Sequence, residues 1–107
     1  MIIMSKIIKE NDAIGVINYK SNINSELKNK LNQIIDESYI IDNCDYVLQI
    51  DSNNYKGDLM CLGSLFDLIL DNLKSKNLLK YIDEFYVQKE YYDNNEKKVY
   101  RNGFFRR

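Results

Sequence analysis

The sequence has no histidine, no tryptophan and no proline. Without histidine there is no Ser-His-Asp or Cys-His catalytic arrangement and no imidazole-ligated zinc or iron site. Cysteine is scarce: only Cys44 and Cys61 occur. Their spacing matches neither a C-x-x-C redox motif nor a zinc motif. The reading it supports is a pair of reduced, mostly buried thiols, with a disulfide as the alternative. Long apolar runs are missing as well, none approaching the ~20 residues needed to span a bilayer. The opening MIIMSKIIKE lacks the basic start, longer apolar stretch and small-residue cleavage site of a signal peptide. The expectation is a cytoplasmic protein that folds without metal, cofactor or disulfide.

What is present fits one globular unit. The chain has 107 residues, 45% hydrophobic and 29% charged, a balance typical of folded rather than disordered chains. A chain of this length can bury roughly 65% of its unfolded surface. A single domain over residues 1–107 is therefore expected.

Residues 2–9 (IIMSKIIK) and 13–19 (AIGVINY) are rich in β-branched side chains. With the polar break Glu10-Asn11-Asp12 between them, they predict an N-terminal hairpin. Asn24-Ser25 then offers a helix cap, and Leu27, Leu31, Ile34 and Ile35 recur at helical spacing, predicting an amphipathic helix over 25–38. Residues 45–51 (DYVLQID) read as a strand between the Asp42-Asn43 and Ser52-Asn53-Asn54 loops.

Asp58 is a capping residue ahead of CLGSLFDLILDNL, residues 61–73. On a helix, Ser64, Asp67, Asp71 and Lys74 fall in a polar sector of roughly 80°, and the leucines, Phe66 and Ile69 cover roughly 200° of the other side. So wide an apolar face needs both a sheet and the first helix to cover it. Gly63, at the edge of the polar sector, is expected to admit a close neighbour. Leu78, Leu79, Tyr81 and Ile82 would continue the helical pattern after a break at 75–77. Finally, residues 85–92 and 97–105 flank an Asn-rich turn and predict a hairpin. The competing turn signal Asn102-Gly103 is read as a bulge. The expected fold class is α+β: a single domain of order β-β-α-β-α-β-β, with a largely antiparallel sheet and two helices packed on one face.

Chemical motifs are weak. Asp67 and Asp71 lie one helical turn apart and could in principle hold Mg²⁺, but such a pair is ordinarily a solvated helix face. Asp51-Ser52-Asn53-Asn54 lacks the glycine and distant glutamate of a calcium loop. Gly63-Ser64 has no second glycine and no base to activate the serine.

Charge is more informative. Between Asp36 and Asp71 there are eight acidic residues and one basic residue, Lys56, a net of −7 in a chain of net −1. From Lys97 onward there are five basic residues and no acid. The acidic middle suits a basic partner, because complementary potentials steer encounter. Tyrosine, enriched at interfaces, clusters on the C-terminal hairpin. These features suggest a non-catalytic protein-binding domain, of the kind exemplified by immunity proteins that neutralise toxic nucleases. That comparison rests on size and charge only. The candidate partner-binding residues are Asp42, Asp45, Asp51, Asn53, Asn54, Tyr86, Tyr91, Tyr92 and Tyr100. The alternative is a nucleic-acid-binding module, in which Lys97 to Arg107 meet phosphates and the neighbouring aromatics stack on bases. Its counter-reading is an edge strand whose charges guard against sheet-to-sheet pairing. A homodimer through the hairpin edge or the second helix is a further alternative.

Overall fold

The computed structural model describes residues 13–106, with side chains to Gly103. The expected strand over 2–9 lies outside the described residues. The elements are β1 (Ala13–Tyr19), α1 (Ser25–Asp42), β2 (Val47–Gln49), β3 (Asn54–Gly57), α2 (Leu59–Ser75), β4 (Ile82–Asp93) and β5 (Glu96–Arg106). The fold is α+β. Among the described residues, five strands form one antiparallel sheet in the order β2-β3-β1-β4-β5, with the helices on one face.

Both helices start where their capping residues predict. The Asn24 Oδ1 accepts a hydrogen bond from the Leu27 N–H at 2.8 Å, and the Asp58 Oδ2 accepts from the N–H groups of Met60 and Cys61. Each satisfies donors that the first helical turn leaves unpaired. Helix α1 runs past the expected end at residue 38. Tyr39 keeps the apolar phase, packs on the core and donates its hydroxyl to the Val47 carbonyl. Asn43 then stops the helix in the left-handed region (φ 46°), its N–H bonded to the Tyr39 carbonyl, a conformation asparagine tolerates better than most residues.

The broad apolar face of α2 is covered as expected. Leu62, Leu65, Phe66, Ile69 and Leu73 are buried, whereas Ser64, Asp67, Asp71 and Lys74 face solvent. Burying each large side chain contributes about 1.5–3 kcal/mol before conformational entropy is charged against it. Tyr39, Tyr55, Phe66 and Phe85 form a chain of tilted and edge-on aromatic contacts through the core, with neighbouring centroids 5.0–5.8 Å apart. Ser38, fully buried, joins the helices: its hydroxyl donates to the Ile34 carbonyl and accepts from the Asn72 amide at 2.8 Å.

Several local expectations are corrected. A Cβ on Gly63 would meet nothing within 4 Å, so the close approach expected there is absent. It occurs instead at Gly15, beneath Phe66, and at Gly57, where a Cβ would stand 2.0 Å from the Tyr46 carbonyl oxygen. The strand expected over 45–51 is shortened to Val47–Gln49 and reverses through Asp51-Ser52-Asn53 into β3. Strand β3 reads Asn-Tyr-Lys-Gly and carries a single large apolar side chain, so its sequence pattern is faint; Tyr55 and Gly57 point inward and are buried. After α2, Asn77 takes a positive φ of 59°. A short 3-10 turn, Leu79–Tyr81, leads directly into β4, so Ile82 opens a strand rather than continuing a helix.

The C-terminal hairpin forms as expected. Asn94 and Asn95 both have positive φ, 56° and 67°, the backbone signature of the tight turn that matches strand twist. Near Asn102-Gly103 the register jumps, with Phe85 opposite Phe105 and Tyr86 opposite Gly103. One extra residue on β5 therefore makes the bulge.

Candidate functional site

Strand register decides which candidate residues meet. Along β1, Ala13 lies opposite Gly57 and Val16 opposite Asn54, while Ile14 lies opposite Gln88 and Tyr19 opposite Ile82. The end of the molecule beside Ala13 therefore holds the close of α1, the entry to β2, the exit of β3 and the start of α2. Beyond Gln88, β4 pairs only with β5 among the described residues. The two strands leave the body at this same end as a ribbon, with five residues of β4 spanning about 17 Å at strand rise. Every side chain from Glu90 to Asn102 is exposed.

This end gathers part of the expected set. Asp42 closes α1 and Asp45 precedes β2; Asp58, which is not one of the expected site residues, caps α2. Tyr91, Tyr92 and Tyr100 are carried on the ribbon, with Tyr92 72% exposed. Tyr91 and Tyr92 alternate between the two ribbon faces; residues directly opposite share a face, so Tyr92 stands with Lys97 and Tyr91 with Lys98.

Sequence reasoning overlooked the exposed apolar side chains here. Ile40 (72% exposed), Ile41 (69%), Met60 (83%) and Tyr46 (47%) stand in water on the segments that meet at this end. The signal was available for Ile40, which falls opposite the Leu31-Ile34-Ile35-Ser38 stripe, and for Met60, which falls off the Leu62-Leu65-Phe66-Ile69 stripe; Ile41 keeps the phase of Ile34 yet is exposed in the last turn of α1. A single exposed apolar residue is ordinary, but several at one end of a fold mark a surface suited to contact.

The remaining candidates lie elsewhere. Asp51, Asn53 and Asn54 form the β2–β3 turn at the opposite end, near Tyr19 and the start of α1. The Asp51 carboxylate accepts from the Asn53 N–H at 2.8 Å and from the Asn54 amide at 3.0 Å. These bonds, the Asn54 amide first, hold its pKa below the usual carboxylate value. The Asn53 carbonyl accepts from the Ile17 N–H, tying the turn to β1. The three residues thus shape a turn beside a shallow polar groove lined also by Asn18, Lys28 and Asn32. The acidic segment does not gather into one patch: its acids divide between the two ends and, through Asp67 and Asp71, the outer face of α2.

Tyr86 lies on the sheet face away from the helices, in register with Val16 and Gly103. The Arg101 guanidinium stacks 4.0 Å from its ring centroid, and the Arg101 Nε donates to the Gln88 side chain at 3.0 Å. Lys97 pairs with Glu90 at 3.1 Å and Lys98 with Glu96 at 3.3 Å. Exposed pairs of this kind contribute little stability, but they engage much of the positive charge that the nucleic-acid reading needs. Among the described residues β5 is an edge strand, and its charges suit edge protection.

Among the described residues, no group of three or more cysteines and acids is placed to hold a metal ion, and no helix is long and apolar enough to cross a membrane. Comparison with protein-family models, curated proteins and solved structures finds no match.

Proposed function

We propose that this chain is a small protein-binding domain of the inhibitor or immunity type, which masks a basic protein partner such as a nuclease. The observation that carries the reading is the convergence at one end of exposed apolar side chains (Ile40, Ile41, Tyr46, Met60), three carboxylates (Asp42, Asp45, Asp58) and a protruding ribbon bearing Tyr91, Tyr92 and Tyr100. Aromatic anchors inside a charged margin are the usual anatomy of a protein interface. A nuclease surface is basic because its substrate is a polyanion, so carboxylates on an inhibitor complement it.

The test compares wild-type chain with two variants, Tyr91→Ala/Tyr92→Ala/Tyr100→Ala and Asp42→Asn/Asp45→Asn, in low-salt capture from the native host followed by identification of the retained protein. The expected result is a cationic protein held by wild type, lost with the tyrosine variant and weakened with the asparagine variant. Retention of nucleic acid instead, or equal capture by all three chains, overturns the proposal.

A further inference from the structure

The ribbon is a stretch of sheet with no helix over it among the described residues, and its two faces are set by the body. Val87 is buried on the helix side, opposite Gly15, which lies beneath Phe66. Pairing runs without a shift from Val87–Asn102 to Asp93–Glu96, so every second residue carries the helix side outward along the ribbon. Tyr91 and Tyr100 are therefore diagonal neighbours on that side, and Tyr92 and Val99 are diagonal neighbours on the other. Tyr91 and Tyr100 are each nearly half exposed. The helix layer stops at the root of this bare face, because α2 starts just after Gly57, the partner of Ala13.

Charge separates the ribbon from the layer beside it. On the helix side of the ribbon, Lys89 and Lys98 are offset by Asp93 and Glu96, with Lys98 bonded to Glu96 at 3.3 Å. The end of the layer brings Asp42, Asp45 and Asp58.

We propose that this face receives one helix of the partner: a basic, amphipathic helix laid on the ribbon against the end of the helix layer. The proposal rests on the inhibitor reading for the sign of the partner's charge and adds the form in which the partner binds. Sheet left bare beside a helix layer makes a step one helix deep, about 10 Å. The free ribbon, about 17 Å long, takes about three helical turns. Apolar side chains of the incoming helix at i, i+3 and i+7 would rest on Tyr91 and Tyr100. Its lysines or arginines would turn toward Asp42, Asp45 and Asp58. A partner strand added along β5 is the poorer fit, since that edge carries Lys97, Lys98 and Arg101 and would repel a basic chain.

The test uses the folded full chain and two synthetic peptides of about 14 residues, identical in composition: leucine, lysine and one tryptophan. One repeats its leucines at the helical period and the other alternates them as in a strand. The chain has no tryptophan, so the peptide's fluorescence reports binding. The helical-period peptide should bind ~10-fold more tightly than the alternating one, and less tightly as salt rises. Tyr91→Ala/Tyr100→Ala should weaken it ~10-fold and Asp42→Asn/Asp45→Asn should weaken it too, whereas Tyr92→Ala/Val99→Ala should leave it unchanged; circular dichroism checks that each variant is folded. No binding, a preference for the alternating peptide, or equal loss from the two ribbon faces overturns the proposal. The host capture is read separately. A cationic protein whose retention depends on Tyr92 and Val99 rather than Tyr91 and Tyr100 upholds the inhibitor reading and sinks the helix site. Peptide binding as expected, with no cationic protein captured, does the reverse.

Discussion

Phe66 lies against Gly15: a Cβ on Gly15 would stand 2.6 Å from the Phe66 Cζ and 3.1 Å from a Leu62 methyl. Helix α2 seats on the central strand because that strand presents no side chain there. Gly15→Ala should therefore destabilise by about 1–3 kcal/mol through overpacking. In a Phe66→Leu background the same change should cost less, because the ring it strikes is gone. Urea unfolding of the four chains of this cycle checks the coupling, and strict additivity would contradict the contact.

The two largest losses are expected inside α2. Leu65 and Phe66 are fully buried, so alanine should cost about 2–5 kcal/mol at Leu65 and about 3–5 kcal/mol at Phe66. Thermal or denaturant melts measure both.

Ser38 gives a polar counterpart. Ser38→Ala removes the acceptor of the Asn72 amide and leaves that half-buried donor without its partner, at a cost of about 1–3 kcal/mol. Adding Asn72→Ala should cost little more, since the orphaned group is then gone. A double-mutant cycle in urea reads this directly.

Alkaline pH should loosen the fold. Burial, with a smaller contribution from Asp36, holds the Tyr19 and Tyr55 hydroxyls well above the ordinary phenol range. The unfolded chain releases these protons from about pH 10, while the folded chain keeps them. Above that point the unfolded state binds fewer protons, so stability falls as pH rises. The contribution is fully present below about pH 10; above it, Tyr55 alone accounts for a loss of up to ~1.4 kcal/mol per pH unit. Tyr55→Phe should flatten the decline in urea midpoints measured from about pH 8 to about pH 11, whatever its effect at neutral pH.

The ribbon should behave in the opposite way to the core. Tyr92→Ser removes a side chain that is 72% exposed, and the melting temperature should scarcely move, within about 0.5 kcal/mol of wild type. If it instead unfolds the protein, the ribbon supports the body rather than standing free of it.

Local chemistry was legible from the residues. Asn24 and Asp58 announce their helices, the leucine phase of 59–73 identifies its buried side, and the asparagines at 94 and 95 mark the hairpin. Strand β3 was not legible, because Asn-Tyr-Lys-Gly gains its strand character by lying between two partners. The candidate site was legible only in pieces. Tyr91, Tyr92, Tyr100, Asp42 and Asp45 come to one end, whereas Asp51, Asn53 and Asn54 are drawn to the other by the β2–β3 reversal.

The sequence by itself determined the helices, their caps, the C-terminal hairpin and the α+β class, because helical periodicity, capping and turn geometry act over a few residues. Only the tertiary structure decided that Gly15 rather than Gly63 admits a close neighbour and that the acids divide between two ends. Those outcomes depend on strand register and helix seating, which join residues far apart in the chain and leave no trace in any short window of it.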